Sequence, residues 1–203
     1  MSAYATPPIT LLSVSAAAGH GVAPLLPSRA YSRLVARFRD LGEGQLTPAQ
    51  RAVVDAIVAG PRGEFGGPFT TLIRSPEVAD RVQALGEALR FRSSLPATCR
   101  ELAILVVANR WGAEYEGQTH GEIALEVGVE PAAIEAIGDG RHPDLPAGEH
   151  AAYAFVREVV DTGRVSDEAF AAAHEAFGDQ GVVDLLGLAG YYTLLAFVLN
   201  VTD

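Results

Sequence analysis

The stretch of residues 100–129 constrains the fold of this chain more than any other part of it. Its first half is apolar on almost every face and is too long for a typical strand, so it predicts a buried helix. Beyond a glycine at position 112, apolar residues recur at Ile123, Ala124 and Val127, which is the spacing of a second helix with one apolar face. The stretch therefore predicts a helical hairpin at the centre of the fold.

Ionisable residues lie on the buried faces predicted for this hairpin. Glu101 shares a face with apolar residues of the first helix, and His120 continues the apolar stripe of the second helix. Glu116 precedes His120 by one turn, so its carboxylate can hold one ring nitrogen and leave the other for proton transfer. Because buried ionisable groups are costly unless paired, we predict that Glu101, Glu116 and His120 are catalytic. The alternative is a purely structural pair of Glu101 with an arginine such as Arg100 or Arg110.

Metal and thiol chemistry fit the sequence less well. Glu116 and His120 could ligate a metal with Glu101 as a third ligand, but the repeated Glu-x-x-His motif of di-iron bundles does not occur, so we predict no metal. The single cysteine, Cys99, excludes an internal disulfide and a Cys-x-x-Cys redox pair. It has no adjacent histidine, so we interpret it as a small core residue.

The charged residues narrow the possible partners and cofactors. All 15 basic residues are arginine, which excludes a lysine Schiff base and the lysine of a phosphate-binding P-loop. The net charge of −10 argues against nucleic acid or an anionic membrane surface as the main partner. The sequence therefore favours a cofactor-free mechanism on a small molecule, and its single cysteine fits a reduced, cytoplasmic setting.

The rest of the chain predicts an all-α fold with roughly eight helices, because no segment alternates apolar and polar residues with a period of two. We expect an irregular N-terminal arm over residues 1–27 and a single helical domain over residues 28–203. Outside the hairpin, helices are predicted from Ser28 to about Leu41, from Pro48 to about Val58, from Pro76 to about Phe91 (with Ser75 as its cap), from Pro131 to Gly138, over residues 149–162, from Ser166 to Gly178 and over residues 182–201.

Two apolar stretches imitate targeting or membrane segments. Residues 9–23 resemble a secretion signal, but the first positive side chain is Arg29, so we do not expect export. Residues 182–201 approach the length of a membrane span. They contain Asp184 and have no flanking cations, so we expect a core or subunit-interface helix instead of a membrane helix.

The glycine-rich segment 60–69 fits no nucleotide-binding fingerprint. One interpretation is a backbone turn that needs positive φ angles. The other is a loop that lines a pocket, with Phe65 or Phe69 as its wall.

Basic and aromatic residues near the hairpin are candidates for substrate binding. Arg90, Arg92 and Arg100 bracket the turn before the first hairpin helix, where they can bind a carboxylate or pair with acidic neighbours. Trp111 and Tyr115 flank the hairpin turn, either as core anchors or at a pocket mouth. The residues that we predict to bind substrate are Tyr115, Trp111, Arg92 and Phe69.

Several motifs in this order resemble the carboxymuconolactone decarboxylase family, which also contains the alkyl hydroperoxidase D peroxidases. The motifs are RELAIL at 100–105, WGAEYE at 111–116, and His120 followed by Ile123-Ala124. The resemblance extends from about Thr47 to the C-terminal segment. It implies an alkyl hydroperoxidase D-like helical bundle that assembles as a homo-oligomer, a dimer, trimer or hexamer.

The peroxidase branch of that family uses a glutamate, a Cys-x-x-Cys pair with a histidine between the cysteines, and a second histidine. Glu101 and His120 match the glutamate and the second histidine. The two cysteine positions fall on Ala113 and Glu116, and the intervening histidine falls on Tyr115. Thiol peroxidase activity is therefore not expected, because it needs an attacking and a resolving thiol.

The decarboxylase branch lacks these cysteines and relies on proton transfer. The resemblance implies loss of CO₂ from an unsaturated lactone or keto-enol acid, with His120 protonating the carbanion and with Glu101 and Glu116 orienting it. We therefore expect a cofactor-independent lyase or isomerase that acts on a small carboxylated or lactone metabolite. The alternative is a peroxidase-like member without redox cysteines that serves as a non-catalytic binding or assembly module.

Overall fold

The computed structural model describes residues 37–39 and 41–202, and over these residues every regular element is a helix. A short 3₁₀ helix at Glu43–Gln45 precedes the α-helices, which are α1 (Pro48–Ala59), α2 (Phe69–Leu72), α3 (Pro76–Phe91), α4 (Ala97–Trp111), α5 (Glu114–Glu126), α6 (Pro131–Gly138), α7 (Ala147–Thr162) and α8 (Asp167–Thr202). The predicted all-α fold with roughly eight helices is confirmed.

Part of the predicted N-terminal organisation lies outside the described residues. This applies to the arm over residues 1–27 and to most of the helix predicted from Ser28 to Leu41. Of that predicted helix, residues 37–39 and Leu41 are described, and they are bends or irregular backbone instead of helix.

Local capping explains where two of the helices begin. Thr47 and Gln50 form a capping box before α1, in which the Thr47 hydroxyl accepts from the Gln50 N–H at 3.3 Å and the Gln50 side chain accepts from the Thr47 N–H at 2.9 Å. The Ser166 hydroxyl accepts from the Ala169 N–H at 3.2 Å at the start of α8. The predicted side-chain cap at Ser75 is wrong. The unpredicted helix α2 ends at Leu72, and the Ser75 N–H donates back to the Leu72 carbonyl. Ser75 makes no side-chain cap.

Helix α4 is the centre of the core, and all of its residues from Glu101 to Ala108 are buried. It packs against α5, α6, α7 and α8. Gly112 ends it in the left-handed conformation, with φ at 62°, and its neighbour Ala113 donates a backbone hydrogen bond to Ala108 at 2.9 Å. The predicted helical hairpin therefore consists of α4 and α5, and the tight turn at Gly112 sets the face that each presents to the other.

Helix α8 joins two helices that the sequence predicts separately. Its backbone is interrupted at Gly178, where φ is 65° and ψ is −173°, so the predicted boundary is present as a kink. In the described part of the chain, α8 alone is long and apolar enough to cross a membrane by length and composition. However, 44% of its most apolar window is buried, and α8 packs against α3, α4 and α7.

Asp184 on α8 fixes the turn between α3 and α4. Its Oδ2 accepts from the Ser93 hydroxyl at 3.1 Å and from both the backbone N–H and the hydroxyl of Ser94 at 2.8 Å. The turn leads directly into α4 through Pro96. The polar residue that interrupts the apolar sequence of α8 therefore helps to place the helix that carries Glu101.

Candidate active site

The closest polar contact in the core joins the two helices of the hairpin. Glu101 Oε2 on α4 lies 2.6 Å from Nδ1 of His120 on α5, and each residue is only 2% exposed. A contact this short between a carboxylate and an imidazole is a charge-assisted hydrogen bond. The structure therefore brings together two of the residues that the sequence predicts to be catalytic.

Glu116 faces the other ring nitrogen of His120. Its Oε2 lies 3.4 Å from His120 Nε2, and the residue is 4% exposed. The prediction that Glu116 holds the ring and leaves the other nitrogen free is therefore wrong in detail, because Glu101 makes the close contact. The one-turn spacing along α5 leaves Glu116 at 3.4 Å from the ring, whereas α4 brings Glu101 to 2.6 Å.

Arg100 adds a positive charge on the far side of Glu101. Its Nε donates to Glu101 Oε1 at 3.1 Å. The structural pair that was the alternative interpretation of Glu101 is thus present together with the contact to His120. Each oxygen of the Glu101 carboxylate has its own partner, which fixes the orientation of the carboxylate toward the imidazole.

The pKa values of His120 and Glu101 are both shifted in the direction that favours the charged form. Burial lowers the pKa of His120, but the hydrogen bonds and negative charges of Glu101 and Glu116 outweigh it, so the pKa of His120 lies above its ordinary value. Burial raises the pKa of Glu101, but the hydrogen bonds and positive charges of His120 and Arg100 bring the pKa below its ordinary value. Both shifts favour the charged forms, so the core stabilises an imidazolium beside the ionised Glu101 carboxylate.

Two consecutive tyrosines on α8 border the imidazole. The rings of His120 and Tyr192 meet edge to face with their centroids 5.0 Å apart, and the rings of Tyr191 and Tyr192 do the same at 5.1 Å. Burial raises the pKa of Tyr191 and raises the pKa of Tyr192 well above its ordinary value. Both phenols therefore stay protonated. The sequence signal that could have identified them is a pair of residues with polar tips in an otherwise apolar helix.

Arg62, from the glycine-rich segment, reaches the same tyrosines. Its Nη2 lies 3.4 Å from the Tyr191 hydroxyl, and its guanidinium stacks over the ring of Phe69 at 4.8 Å. Gly86 on α3 makes this approach possible, since a Cβ there would lie 2.1 Å from the Tyr191 hydroxyl oxygen and 2.8 Å from Arg62 Nη2. Phe69 itself is buried beneath the arginine.

Tyr115 is a surface residue of α5 next to Glu116 in the sequence. It is 42% exposed and precedes Glu116 on α5. Its ring lies against Gly67, where a Cβ would come within 2.8 Å of it and where φ is 55°. The interpretation of the glycine-rich segment as a turn with positive φ angles is therefore confirmed at Gly63 and Gly67. The segment also contacts Tyr115 through Gly67 and Tyr191 through Arg62, whereas a pocket walled by Phe65 or Phe69 stays a prediction.

The structure places two other predicted substrate-binding residues elsewhere. Trp111 donates from Nε1 to Thr193 at 3.0 Å and packs edge to face on Phe197, so it anchors α4 to α8. Arg92 is 60% exposed and pairs with Glu87 on α3. Among the described residues, the contacts of these two side chains do not include Glu101, Glu116 or His120.

The single thiol is not part of this arrangement. Cys99 is buried in the core, as predicted, and burial raises the pKa of its thiol. Within the described residues, no group of three or more histidine, cysteine, aspartate and glutamate side chains is arranged to hold a metal ion. The groups available at the site are carboxylates, an imidazole, phenols and guanidiniums.

Comparison with known families places this geometry in context. Residues 76–160 match the sequence profile of the carboxymuconolactone decarboxylase family. This matched segment is a carboxymuconolactone decarboxylase family domain. Glu101, Glu116 and His120 all lie within this domain, whereas Arg62 and the two tyrosines of α8 lie outside the matched segment. The site is therefore completed by flanking elements.

Solved structures share the fold of this carboxymuconolactone decarboxylase domain and its flanks. The apo debrominase Bmp8 superposes with a TM-score of 0.65 at 16% identity, covering 84% of this chain and 90% of that one. A cysteine-to-alanine variant of Bmp8 in complex with 2,3,4-tribromopyrrole gives the same score and identity over 85% and 91% of the two chains. Similarity at this level of identity establishes the fold alone. A comparison with curated proteins finds no match.

Proposed function

We propose that this protein is a cofactor-independent acid–base enzyme, a lyase or isomerase, that acts on a small carboxylated or lactone metabolite. The observation that supports the proposal is the imidazole held at 2.6 Å by Glu101 while Glu116 faces its second nitrogen at 3.4 Å. A buried pair of this kind provides a proton donor whose orientation and charge are set before substrate arrives.

In the proposed decarboxylation, the substrate loses CO₂ and the electron pair of the broken C–C bond stays on the remaining fragment. The conjugated carbonyl or lactone delocalises that charge, and His120 Nε2 donates its proton to the carbon. Glu101 keeps its hydrogen bond to Nδ1 throughout, and water returns a proton to Nε2 afterwards. Glu116 faces the nitrogen that loses the proton, so its negative charge favours reprotonation.

An isomerase would use the same groups without loss of CO₂. His120 in its neutral form, or Glu116, removes a proton next to a carbonyl, and the proton returns to a different carbon of the delocalised anion. A protonated phenol such as Tyr191 can donate a hydrogen bond to the oxyanion that develops in either reaction.

The test of this proposal is turnover by the His120→Gln variant. Lactones, β-keto acids and unsaturated acids are screened by CO₂ release and by NMR, and the variant is assayed on each substrate found. We expect its kcat to fall by about 10²-fold or more, as for loss of a general acid. Glu114→Gln on the exposed surface of α5 is the matched control. Normal turnover by His120→Gln with unchanged circular dichroism contradicts the proposal.

A non-catalytic assembly module is the second candidate. It is favoured by the near-complete burial of the acid–base residues and by an apolar stripe on α8 that stays exposed. The stripe consists of Val183, Leu186, Leu194, Phe197 and Val201. If the buried pair is only structural, replacing both partners with apolar residues leaves stability unchanged or raises it. An active enzyme loses turnover in the same variant, so the two candidates are separated.

A further inference from the structure

Two arginines near the candidate active site have no carboxylate partner. Arg62 and Arg90 are both half-buried, and in the described part of the chain no carboxylate lies within ion-pair distance of either one. Arg62 instead contacts Tyr191 and Phe69, and Arg90 lies over the ring of Phe91 at 5.1 Å. A half-buried cation whose neighbours are aromatic rings is only partly compensated, so it favours an anion from outside.

Arg90 lies on the face of α3 over which Arg62 reaches Tyr191. Arg62 Nη2 passes over Gly86 to reach Tyr191, and Arg90 lies one turn beyond Gly86 on α3, on the same face of that helix. Consistent with this position, the positive charge of Arg90 lowers the pKa of Tyr191 and Tyr192 against the effect of burial. Arg62 thus contacts Tyr191 from the glycine-rich segment, and Arg90 lies one turn from that contact on α3.

The charge balance of the site gives these arginines a role. Glu101 and Glu116 carry two negative charges, and His120 and Arg100 together neutralise them. An anionic substrate that approaches His120 therefore meets no net attraction from these groups, and Glu116 repels it locally. Binding an anion there requires cations beyond these four groups, and Arg62 and Arg90 are placed to supply them.

We propose, given the acid–base function proposed above, that Arg62 and Arg90 bind the carboxylate of the substrate and select for planar unsaturated or aromatic acids. The guanidiniums bind the carboxylate oxygens, and Tyr115 and Tyr191 flank the planar part of the molecule. The carboxylate seat defined by Arg62 and Arg90 replaces Arg92, which is already paired with Glu87 on the surface. Both arginines act in binding and orientation and not in proton transfer.

The experiment uses benzoate as the probe and benzamide as its neutral isostere. Binding to the full chain is measured by NMR titration for the wild type and for Arg62→Gln, Arg90→Gln and Arg81→Gln. Arg81, an exposed residue of α3, is the matched control. We expect Arg62→Gln and Arg90→Gln each to weaken benzoate binding by at least about tenfold, as for loss of a charged hydrogen bond. Benzamide binding should be weak in all four proteins, and Arg81→Gln should bind benzoate like the wild type.

Several outcomes overturn the proposal. They are no saturable benzoate binding to the wild type, equal binding by both arginine variants and the wild type, or an equal loss in Arg81→Gln. Arg62→Lys, which keeps the charge, controls for displaced packing: it should retain benzoate binding better than Arg62→Gln while both show the same thermal unfolding. Equal binding by the two Arg62 variants contradicts a charge-based role.

The carboxylate seat and the acid–base function fail in different ways. His120→Gln removes one of the two positive charges that neutralise Glu101 and Glu116, so it should weaken benzoate binding as well as abolish turnover. The seat is therefore tested by the arginine variants, and the acid–base function is tested by kcat of His120→Gln at saturating substrate. If the arginine variants bind benzoate normally while turnover still needs His120, the seat is wrong and the acid–base function stands. If benzoate binding needs the arginines while His120→Gln is active, the acid–base function is wrong.

Discussion

Replacing Glu101 with glutamine tests the charged state of the buried pair. The change keeps the shape of the side chain and a neutral hydrogen-bond acceptor, but removes the negative charge 2.6 Å from His120 Nδ1. At an effective dielectric constant of about 20, two unit charges at this distance attract by about 6 kcal/mol. Desolvation offsets several kcal/mol of this, and removing one partner of a buried pair typically costs about 3–5 kcal/mol. We expect Glu101→Gln to lower the free energy of unfolding by about 3 kcal/mol, because a neutral bond remains.

The loss of unfolding free energy in Glu101→Gln should depend on pH. The pKa of His120 is raised in the folded state, so its contribution is fully present below about 6.5 and is lost as the pH rises through the folded pKa. The pKa of Glu101 is lowered, so its contribution is present above about 4.5 and is lost as the pH falls through the folded pKa. The difference between wild type and variant is therefore largest between pH 4.5 and 6.5 and shrinks at alkaline pH.

Urea unfolding at pH 5.5 and at pH 9 measures this difference, and NMR of labelled histidine follows the titration of His120. The spectrum of His120→Gln assigns the signal among the five histidines. In Glu101→Gln the pKa of His120 should fall, and the exposed control Glu122→Gln should change neither stability nor titration. The double variant with His120→Gln should lose much less than the sum of the single variants. A stability loss that is equal at both pH values, or an unchanged His120 titration, refutes the charged pair.

Two further predictions concern stability and assembly. Asp184→Ala removes the acceptor of three hydrogen bonds from the α3–α4 turn, so it should lower the free energy of unfolding by about 1–3 kcal/mol and Tm by about 2–4 °C per kcal/mol. Asp179→Ala, which removes one exposed contact, is the control, and equal melting of the two variants contradicts this role. Leu194→Glu places a charge in the exposed α8 stripe, so an oligomer formed through it should dissociate in light scattering. An unchanged mass for a wild-type oligomer excludes this interface.

Much of the fold follows from local sequence signals. Thr47 followed by Pro48, and Glu130 followed by Pro131, mark helix starts within a residue or two, because capping and proline geometry act over one turn. Helix α2 was missed because its four residues lie inside a glycine-rich segment, where no periodicity can develop. The role of Asp184 was missed as well, since its partners lie about ninety residues away in the chain.

The candidate site likewise has features that local sequence predicts and features that depend on how distant helices pack. Glu101, Glu116 and His120 could be predicted because each lies on an apolar face, where an ionisable residue is conspicuous. Which carboxylate holds the imidazole could not be predicted, since that depends on the distance between α4 and α5. Arg62 escaped prediction for a similar reason. Its place beside Tyr191 is set by the packing of α8 on α3. Arg92 was predicted instead, because it lies nearer to the hairpin in the sequence.

The close approach of Tyr191 to Gly86 couples the evolution of two positions that lie far apart in the sequence. Any side chain at position 86 would collide with the phenol, whose oxygen would lie 2.1 Å from a Cβ. Once Tyr191 is replaced by a small residue, alanine at position 86 becomes favourable by about 0.5–1 kcal/mol, because glycine weakens a helix interior. A lineage that takes both steps cannot regain the phenol by a single reversal. The pair should therefore be inherited together, and glycine at position 86 marks the relatives that retain this tyrosine beside the imidazole.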